Sequence, residues 1–109
     1  MKDERSLRKH ARRKIEVLVS FELNGIENEY VSRELSEGGV FVVTDEPLSI
    51  GTQAELNIKI GKESIKVEGE VVYSVDKKQA ASEFREPGMG IKFLRLSLEI
   101  KKKIISVIF

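Results

Sequence analysis

The chain has 109 residues, of which 40% are hydrophobic and 34% charged, enough apolar material for one domain with one core. It contains no cysteine and a single histidine, His10, which excludes a disulfide scaffold, a thiolate metal site and a cluster of histidine ligands. No segment approaches the roughly 18 consecutive apolar residues that span a bilayer, and the N-terminal segment lacks the apolar stretch of a secretory signal, so we expect no membrane insertion and a cytoplasmic location.

The first 14 residues have an unusually high positive charge. They carry seven lysines and arginines against two acidic residues, a net of +5, whereas the whole chain has a formal net charge of +1. The remaining residues therefore sum to −4, which is +1 minus +5. Because the segment has few apolar side chains to bury, we predict that residues 1–14 are a flexible arm before a folded domain of residues 15–109. The arm either meets an anionic partner or only keeps the terminus solvated, and charge alone leaves both open.

Six segments after the arm have the pattern of β-strands. Apart from Leu18, apolar and polar residues alternate from Ile15 to Phe21, as expected for a strand that buries one face, and similar patterns recur along the chain. The pair Asn24-Gly25 predicts a tight hairpin turn. The apolar run at 40–43 is interpreted as a buried strand. The predicted strands span residues 15–23, 27–36, 39–43, 53–60, 63–75 and 89–93.

The C-terminal segment has the spacing of an α-helix. Ser97 is suited to cap its N-terminus, and the isoleucines at 100, 104, 105 and 108 fall on one stripe, which predicts a helix over 97–108. Residues 76–88 lack periodicity and are predicted to be a loop. Short strands at close spacing followed by one helix predict an all-β fold, a six-stranded antiparallel barrel with a C-terminal amphipathic α-helix.

The sequence offers little for catalysis. It has no cysteine nucleophile, no Ser/His/Asp set with a credible base and no Gly-Lys-Ser/Thr phosphate loop, so we predict a protein that is not an enzyme. Its carboxylates mostly alternate with apolar residues on strands, as on a solvated face. The five Phe and two Tyr are mostly assigned to the core, so no stacking platform is expected on the strands. Together with the acidic balance after the arm, this makes nucleic-acid binding an unfavourable interpretation.

The first candidate binding stretch is the sequence RKHAR in the arm, in which Arg8 and Arg12 stand four residues apart. A guanidinium is a planar fork of donors that suits phosphate oxygens and the O6 and N7 acceptors of guanine, and it also stacks on bases. The two arginines are therefore candidates to clamp a ligand that carries both groups. Lys9 and Arg13 are secondary candidates beside them.

The second candidate stretch is ELSEGG, residues 34–39. Glu34 and Ser36 are two residues apart at the end of a predicted strand, so their side chains point to the same face. A carboxylate accepts from the ring N–H and amino group of guanine, and a hydroxyl both donates and accepts. Gly39 lets a ligand approach the backbone closely, and Gly38 is a secondary candidate. An ordinary turn without a ligand fits the same composition and remains the alternative.

In this order, the two stretches resemble the PilZ domain family. Its Arg-x-x-x-Arg motif is matched by Arg8 and Arg12, and its Asp/Asn-x-Ser-x-x-Gly motif by Glu34, Ser36 and Gly39. The segments PLSIGTQAEL, VEGEVVY and PGMGIKF support the resemblance, which extends from about Arg8 to the C-terminus. It implies a six-stranded barrel with a C-terminal helix that binds the bacterial second messenger cyclic di-GMP without a further cofactor. It also implies that the two arginines contact guanine and phosphates, while the second motif holds guanine at the barrel surface.

One position departs from the family pattern. Glu34 stands where the family has Asp or Asn, and its extra methylene moves the carboxylate by about 1.5 Å. The leading hypothesis is a cyclic di-GMP receptor or adaptor whose arm and partner surface change on binding and which acts on an unidentified protein effector. The second is a PilZ-like domain that acts through protein contacts alone. The least favoured is a small barrel whose basic arm binds nucleic acid nonspecifically.

Overall fold

Six β-strands and two α-helices make up the part of the chain that the computed structural model describes, residues 17–23 and 25–108. The strands are β1 (Val17–Leu23), β2 (Ile26–Leu35), β3 (Gly39–Val43), β4 (Gln53–Ile60), β5 (Glu63–Val75) and β6 (Gly88–Leu94). The helices are α1 (Lys77–Ser82) and α2 (Leu98–Ile108). No helix within these described residues is long and apolar enough to cross a membrane.

The strands form one closed antiparallel barrel in the order β1-β2-β3-β6-β5-β4. β1 pairs with β2 on one side and with β4 on the other, so the sheet has no open edge at its first strand. The predicted six-stranded barrel is confirmed, and the predicted strand ends agree with the structure to within one residue wherever they fall in its described part. Residues 15 and 16 of the first predicted strand and the predicted arm of residues 1–14 lie outside the described residues.

Alternate strand positions fill the interior of the barrel, which is what the period-two pattern predicts. In β1, Val17, Val19 and Phe21 are buried, and Val19 is completely inaccessible to solvent. In β5, Ile65 and Val67 are buried in the same way. The core therefore lies inside the barrel, and the opposite face of each strand is available for a site.

The short strand β3 corrects one prediction. The apolar run at 40–43 was interpreted as buried, but only Val40 and Val42 point into the core, whereas Phe41 and Val43 are half-buried on the outer face. An unbroken apolar run is typical of a strand that is buried on both faces. The outer face of β3 is instead covered only in part. The outer face of β3 therefore carries an aromatic side chain.

The C-terminal helix is confirmed together with its cap. The Ser97 hydroxyl accepts a hydrogen bond from the Ile100 N–H at 3.2 Å, which satisfies one of the unpaired donors at the start of α2. Ile104 and Ile108 are buried against the barrel core, and Lys101–Lys103 are exposed. The predicted amphipathic stripe thus packs on the barrel.

The segment 76–88 contains a helix, α1, where a loop was predicted. Asp76 caps it, because its carboxylate accepts a hydrogen bond from the Gln79 N–H at 2.7 Å. Ala80 is the buried residue of this helix. A six-residue helix that buries one alanine shows no apolar periodicity, which is why the pattern failed to reveal it.

Asp76→Ala should lower the free energy of unfolding by about 1 kcal/mol, the usual cost of losing a helix N-cap. Chemical denaturation of the two proteins measures the difference. Lys77→Ala is the matched control, since Lys77 is the next residue, is exposed and caps nothing. Equal stability of Asp76→Ala and Lys77→Ala would show that the cap is not needed to hold α1.

Candidate functional site

The second motif lies in an open groove on the outside of the barrel, over β2, β3, β6 and β5. The groove has a volume of about 360 Å³. Glu34, Ser36, Gly38 and Gly39 all line it, so the two motif side chains share one side of the barrel as expected from their spacing. The groove is also lined by residues that the motif does not include, among them Phe41, Tyr73, Gly90 and Lys92.

A β-bulge places Glu34 at the groove. The pairing of β2 with β3 shifts register between Ser32 and Glu34. The Ser32 hydroxyl, fully buried, donates to the Glu34 carbonyl oxygen at 3.1 Å and accepts from the Glu34 N–H at 3.3 Å. These two bonds hold the bulge, and the Glu34 side chain is left exposed on the outer face. Sequence reasoning missed Ser32, and a serine within a predicted strand was the only available signal.

Ser36 closes the turn between β2 and β3. Its N–H donates to the Gly39 carbonyl oxygen at 2.9 Å, and its hydroxyl oxygen accepts from the Gly38 N–H at 3.2 Å and donates to the same Gly39 oxygen at 3.4 Å. A hydroxyl oxygen has two lone pairs, so Ser36 can hold the turn and still accept from a ligand. The turn interpretation and the binding interpretation of this residue are therefore compatible.

Gly39 is required by the packing of β3 on β6. A Cβ at this position would overlap the carbonyl oxygen of Ile91 and lie 3.3 Å from its carbonyl carbon. At the neighbouring Gly38 a Cβ would meet only the Ser36 hydroxyl oxygen, at 4.0 Å. The absence of a side chain at Gly39 thus allows the close strand approach as well as an open groove.

Two aromatic rings lie on the outer face beside the motif. The Phe41 and Tyr73 ring centroids are 6.1 Å apart with an angle of 26° between the planes. The exposed fractions are 44% for Tyr73 and 97% for Phe84, so these two aromatic side chains do not belong to the core. The sequence feature that could have indicated outward-facing rings is in β6. There Gly88 and Gly90 alternate on the outer face and leave room for rings from neighbouring strands.

The charges that line the groove nearly cancel within the described part of the chain. Glu34 carries one negative charge and Lys92 one positive charge, and both side chains are exposed. Glu37, at the nearby turn, pairs with Lys101 of α2 at 3.7 Å. Among residues 17–23 and 25–108, no group of three or more His, Cys, Asp or Glu side chains can hold a metal ion.

The arginine motif lies outside the described residues. This applies to Arg8 and Arg12 and to the secondary candidates Lys9 and Arg13. The structure therefore presents the barrel half of the predicted site, with the motif residues of β2 and its turn in one groove.

The comparison with protein families shows to which one this barrel belongs. The family model described as the PilZ domain matches residues 6–109, and the chain is a member of the PilZ domain family. The match begins before Arg8, so it includes residues 6–14 of the basic segment as well as the barrel. The resemblance inferred from the two motifs is confirmed. A search of curated proteins finds no match.

Solved structures of proteins from several bacteria have the same fold. The PilZ domain of YcgR from Escherichia coli with c-di-GMP is 16% identical, with a TM-score of 0.72, over 94% of this chain and 88% of that chain. The inhibitor of motility MotI/DgrA from Bacillus subtilis is 20% identical, with a TM-score of 0.72, over 93% of this chain and 49% of that one. PlzA from Borreliella burgdorferi in complex with c-di-GMP is 20% identical, with a TM-score of 0.52, over 100% of this chain and 38% of that one. This chain thus spans about half the length of MotI/DgrA, and similarities at this level of identity establish the fold.

Proposed function

We propose that this chain is a cytoplasmic receptor or adaptor module for cyclic di-GMP that has no catalytic activity and acts on a protein effector. The observation that carries the proposal is the placement of Glu34, Ser36, Gly38 and Gly39 in one open groove of a PilZ-family barrel. The similar YcgR and PlzA structures, which were determined with c-di-GMP, support the choice of ligand.

Each groove residue has a role that its chemistry supports. The exposed Glu34 carboxylate accepts from the ring N–H and amino group of a guanine. The Ser36 hydroxyl offers its remaining lone pair to the same base. Gly38 and Gly39 have no side chains that project from the turn, so the base can approach the backbone.

The basic arm supplies the charge that the groove lacks. The charges of Glu34 and Lys92 cancel, so the residues that line the groove cannot neutralise the two phosphates of a cyclic dinucleotide. Residues 1–14 have a net charge of +5, and they precede β1 closely enough to reach the barrel surface. In this proposal Arg8 and Arg12 contact guanine and phosphates, with Lys9 and Arg13 beside them, because a guanidinium fork binds both groups.

Binding in this arrangement changes the surface that an effector meets. An arm with few apolar side chains gains most of its contacts from the ligand, so the ligand orders it over the groove. The ordered arm and the covered groove together form the surface that distinguishes the bound state from the free state.

Calorimetric titration with cyclic di-GMP tests the proposal, with GTP and single-stranded DNA as control ligands. We expect saturable heat with cyclic di-GMP and none with GTP at the same concentrations. No heat at high micromolar cyclic di-GMP would overturn the receptor function and leave the protein-contact hypothesis. Binding of the DNA with a steep dependence on salt would instead support nonspecific nucleic-acid binding.

Glu34→Asp should tighten cyclic di-GMP binding by about 1 kcal/mol, the scale of one net hydrogen bond. The reason is that the Glu34 side chain is exposed and free to be shortened, and aspartate restores the carboxylate position of the family motif. Calorimetry on both proteins measures the change.

Glu37→Asp is the matched control for this substitution. Glu37 pairs with Lys101 and does not line the groove, so the same shortening there should leave the affinity unchanged. Weaker binding by Glu34→Asp alone would mean that the site is adjusted to the longer side chain.

A further inference from the structure

We infer that Tyr73 is a stacking platform for a guanine base of the ligand, an inference that rests on the proposed function. Tyr73 lies in the same groove as the Glu34 motif but three strands away. The register connects them in one row across the outer face, because Glu34 pairs with Phe41, Phe41 with Gly90, and Gly90 with Tyr73. At about 4.8 Å per strand, the row places Tyr73 roughly 14 Å from Glu34.

The Tyr73 ring lies flat against the barrel because Gly90 has no side chain. A Cβ at Gly90 would overlap three adjacent ring atoms of Tyr73, with Cζ at 2.5 Å and Cδ2 at 2.7 Å. Because three ring atoms lie where a Gly90 Cβ would be, the inner face of the ring rests on the Gly90 backbone. Since the side chain is nevertheless 44% exposed, its outer face is open to the groove.

Phe41 does not offer the same surface. The Arg85 guanidinium lies over the Phe41 ring, 5.2 Å from its centroid, and the Phe41 side chain is half-buried. Among the described residues, no such cation lies over the Tyr73 ring. Phe41 therefore extends the apolar surface beside Tyr73, and Tyr73 is the ring that remains free to stack.

The chemistry of the ligand matches this arrangement. A cyclic dinucleotide carries two guanines, and the motif at Glu34 and Ser36 engages one of them. An exposed aromatic ring binds a base through its π-face, whichever base it is. Lys92, two residues along β6 from Gly90 and exposed in the same groove, offers a positive charge to one of the two phosphates that link the nucleosides.

The test uses fluorescence, because the chain contains no tryptophan. In Tyr73→Trp the single indole reports on its own stacking partner, and we expect cyclic di-GMP to quench it with the affinity found by calorimetry. Phe84→Trp is the matched control, since Phe84 is 97% exposed and does not line the groove. Its emission should not change. Equal quenching of both variants, or quenching of neither while heat is still released, would overturn the inference.

Affinities provide a second measurement. Tyr73→Ala and Tyr73→Leu should each weaken cyclic di-GMP binding roughly 5- to 100-fold, the range for loss of one aromatic–base stack, whereas Tyr73→Phe should bind like the parent protein. A leucine at position 73 still covers Gly90. Weaker binding by Tyr73→Leu is therefore explained by the lost aromatic stack and not by lost packing on Gly90. If the parent protein binds cyclic di-GMP and the affinity of Tyr73→Leu is within twofold of it, this inference is overturned while the proposed function stands. A parent that does not bind would overturn the proposed function and this inference with it.

Discussion

Replacement of both Arg8 and Arg12 by alanine should weaken cyclic di-GMP binding by roughly two orders of magnitude or more. Each arginine in a good bidentate contact with guanine contributes about 1–3 kcal/mol, so the loss of both contacts exceeds the loss of either one. The groove cannot compensate, because its lining charges Glu34 and Lys92 cancel. Calorimetry on the double variant and on each single variant measures the loss.

Lys2→Ala is the control for the arginine variants, since Lys2 is a basic residue of the arm outside the motif. It should change the affinity little. If Lys2→Ala weakens binding as much as Arg8→Ala does, the arm acts through its total charge rather than through two positioned guanidinium groups. A steep salt dependence would accompany that result.

Gly39→Ala should lower the free energy of unfolding by about 3 kcal/mol, the upper end of the usual cost of overpacking. The new methyl group meets the Ile91 carbonyl oxygen, which is backbone of the paired strand β6. A flexible side chain could move away, but this oxygen can move only if β3 and β6 separate. Urea denaturation of the variant measures the effect.

The adjacent glycine provides the control. Gly38→Ala adds the same methyl group where only the Ser36 hydroxyl lies nearby, at 4.0 Å, and it should be nearly neutral in stability. If Gly39→Ala is as stable as Gly38→Ala, the close approach of β3 to β6 is not what requires glycine in the motif. Gly39 would then be explained by ligand access alone.

The sequence predicted the barrel well because its evidence was local and repeated. Strands such as β4 and β5 alternate apolar and polar residues over eight or more positions, and Ser97 marks the start of α2. The helix α1 was missed because its stability comes from the Asp76 cap and one buried alanine, which leave no periodic pattern. The half-exposed Phe41 was missed because an apolar run does not show which neighbours cover it.

The site was predictable only where the motif is contiguous. Glu34, Ser36 and Gly39 are close in sequence, so their shared side of the barrel follows from spacing alone. Tyr73 reaches the groove through the pairing of β5 with β6, some 40 residues along the chain, and no local pattern reveals that pairing. The role of Ser32 likewise depends on a register shift that appears only when β2 pairs with β3.

The most direct test of the account is a titration of the isotope-labelled protein with cyclic di-GMP, followed by backbone amide chemical shifts. We predict that the largest changes occur at residues that line the groove, namely Glu34, Ser36, Gly38, Gly39, Gly90 and Lys92. Glu55 and Lys66, exposed on the outer face of β4 and β5 away from the groove, should change little. No change at high micromolar ligand, or the largest changes at Glu55 and Lys66, would contradict the assignment of this groove as the cyclic di-GMP site.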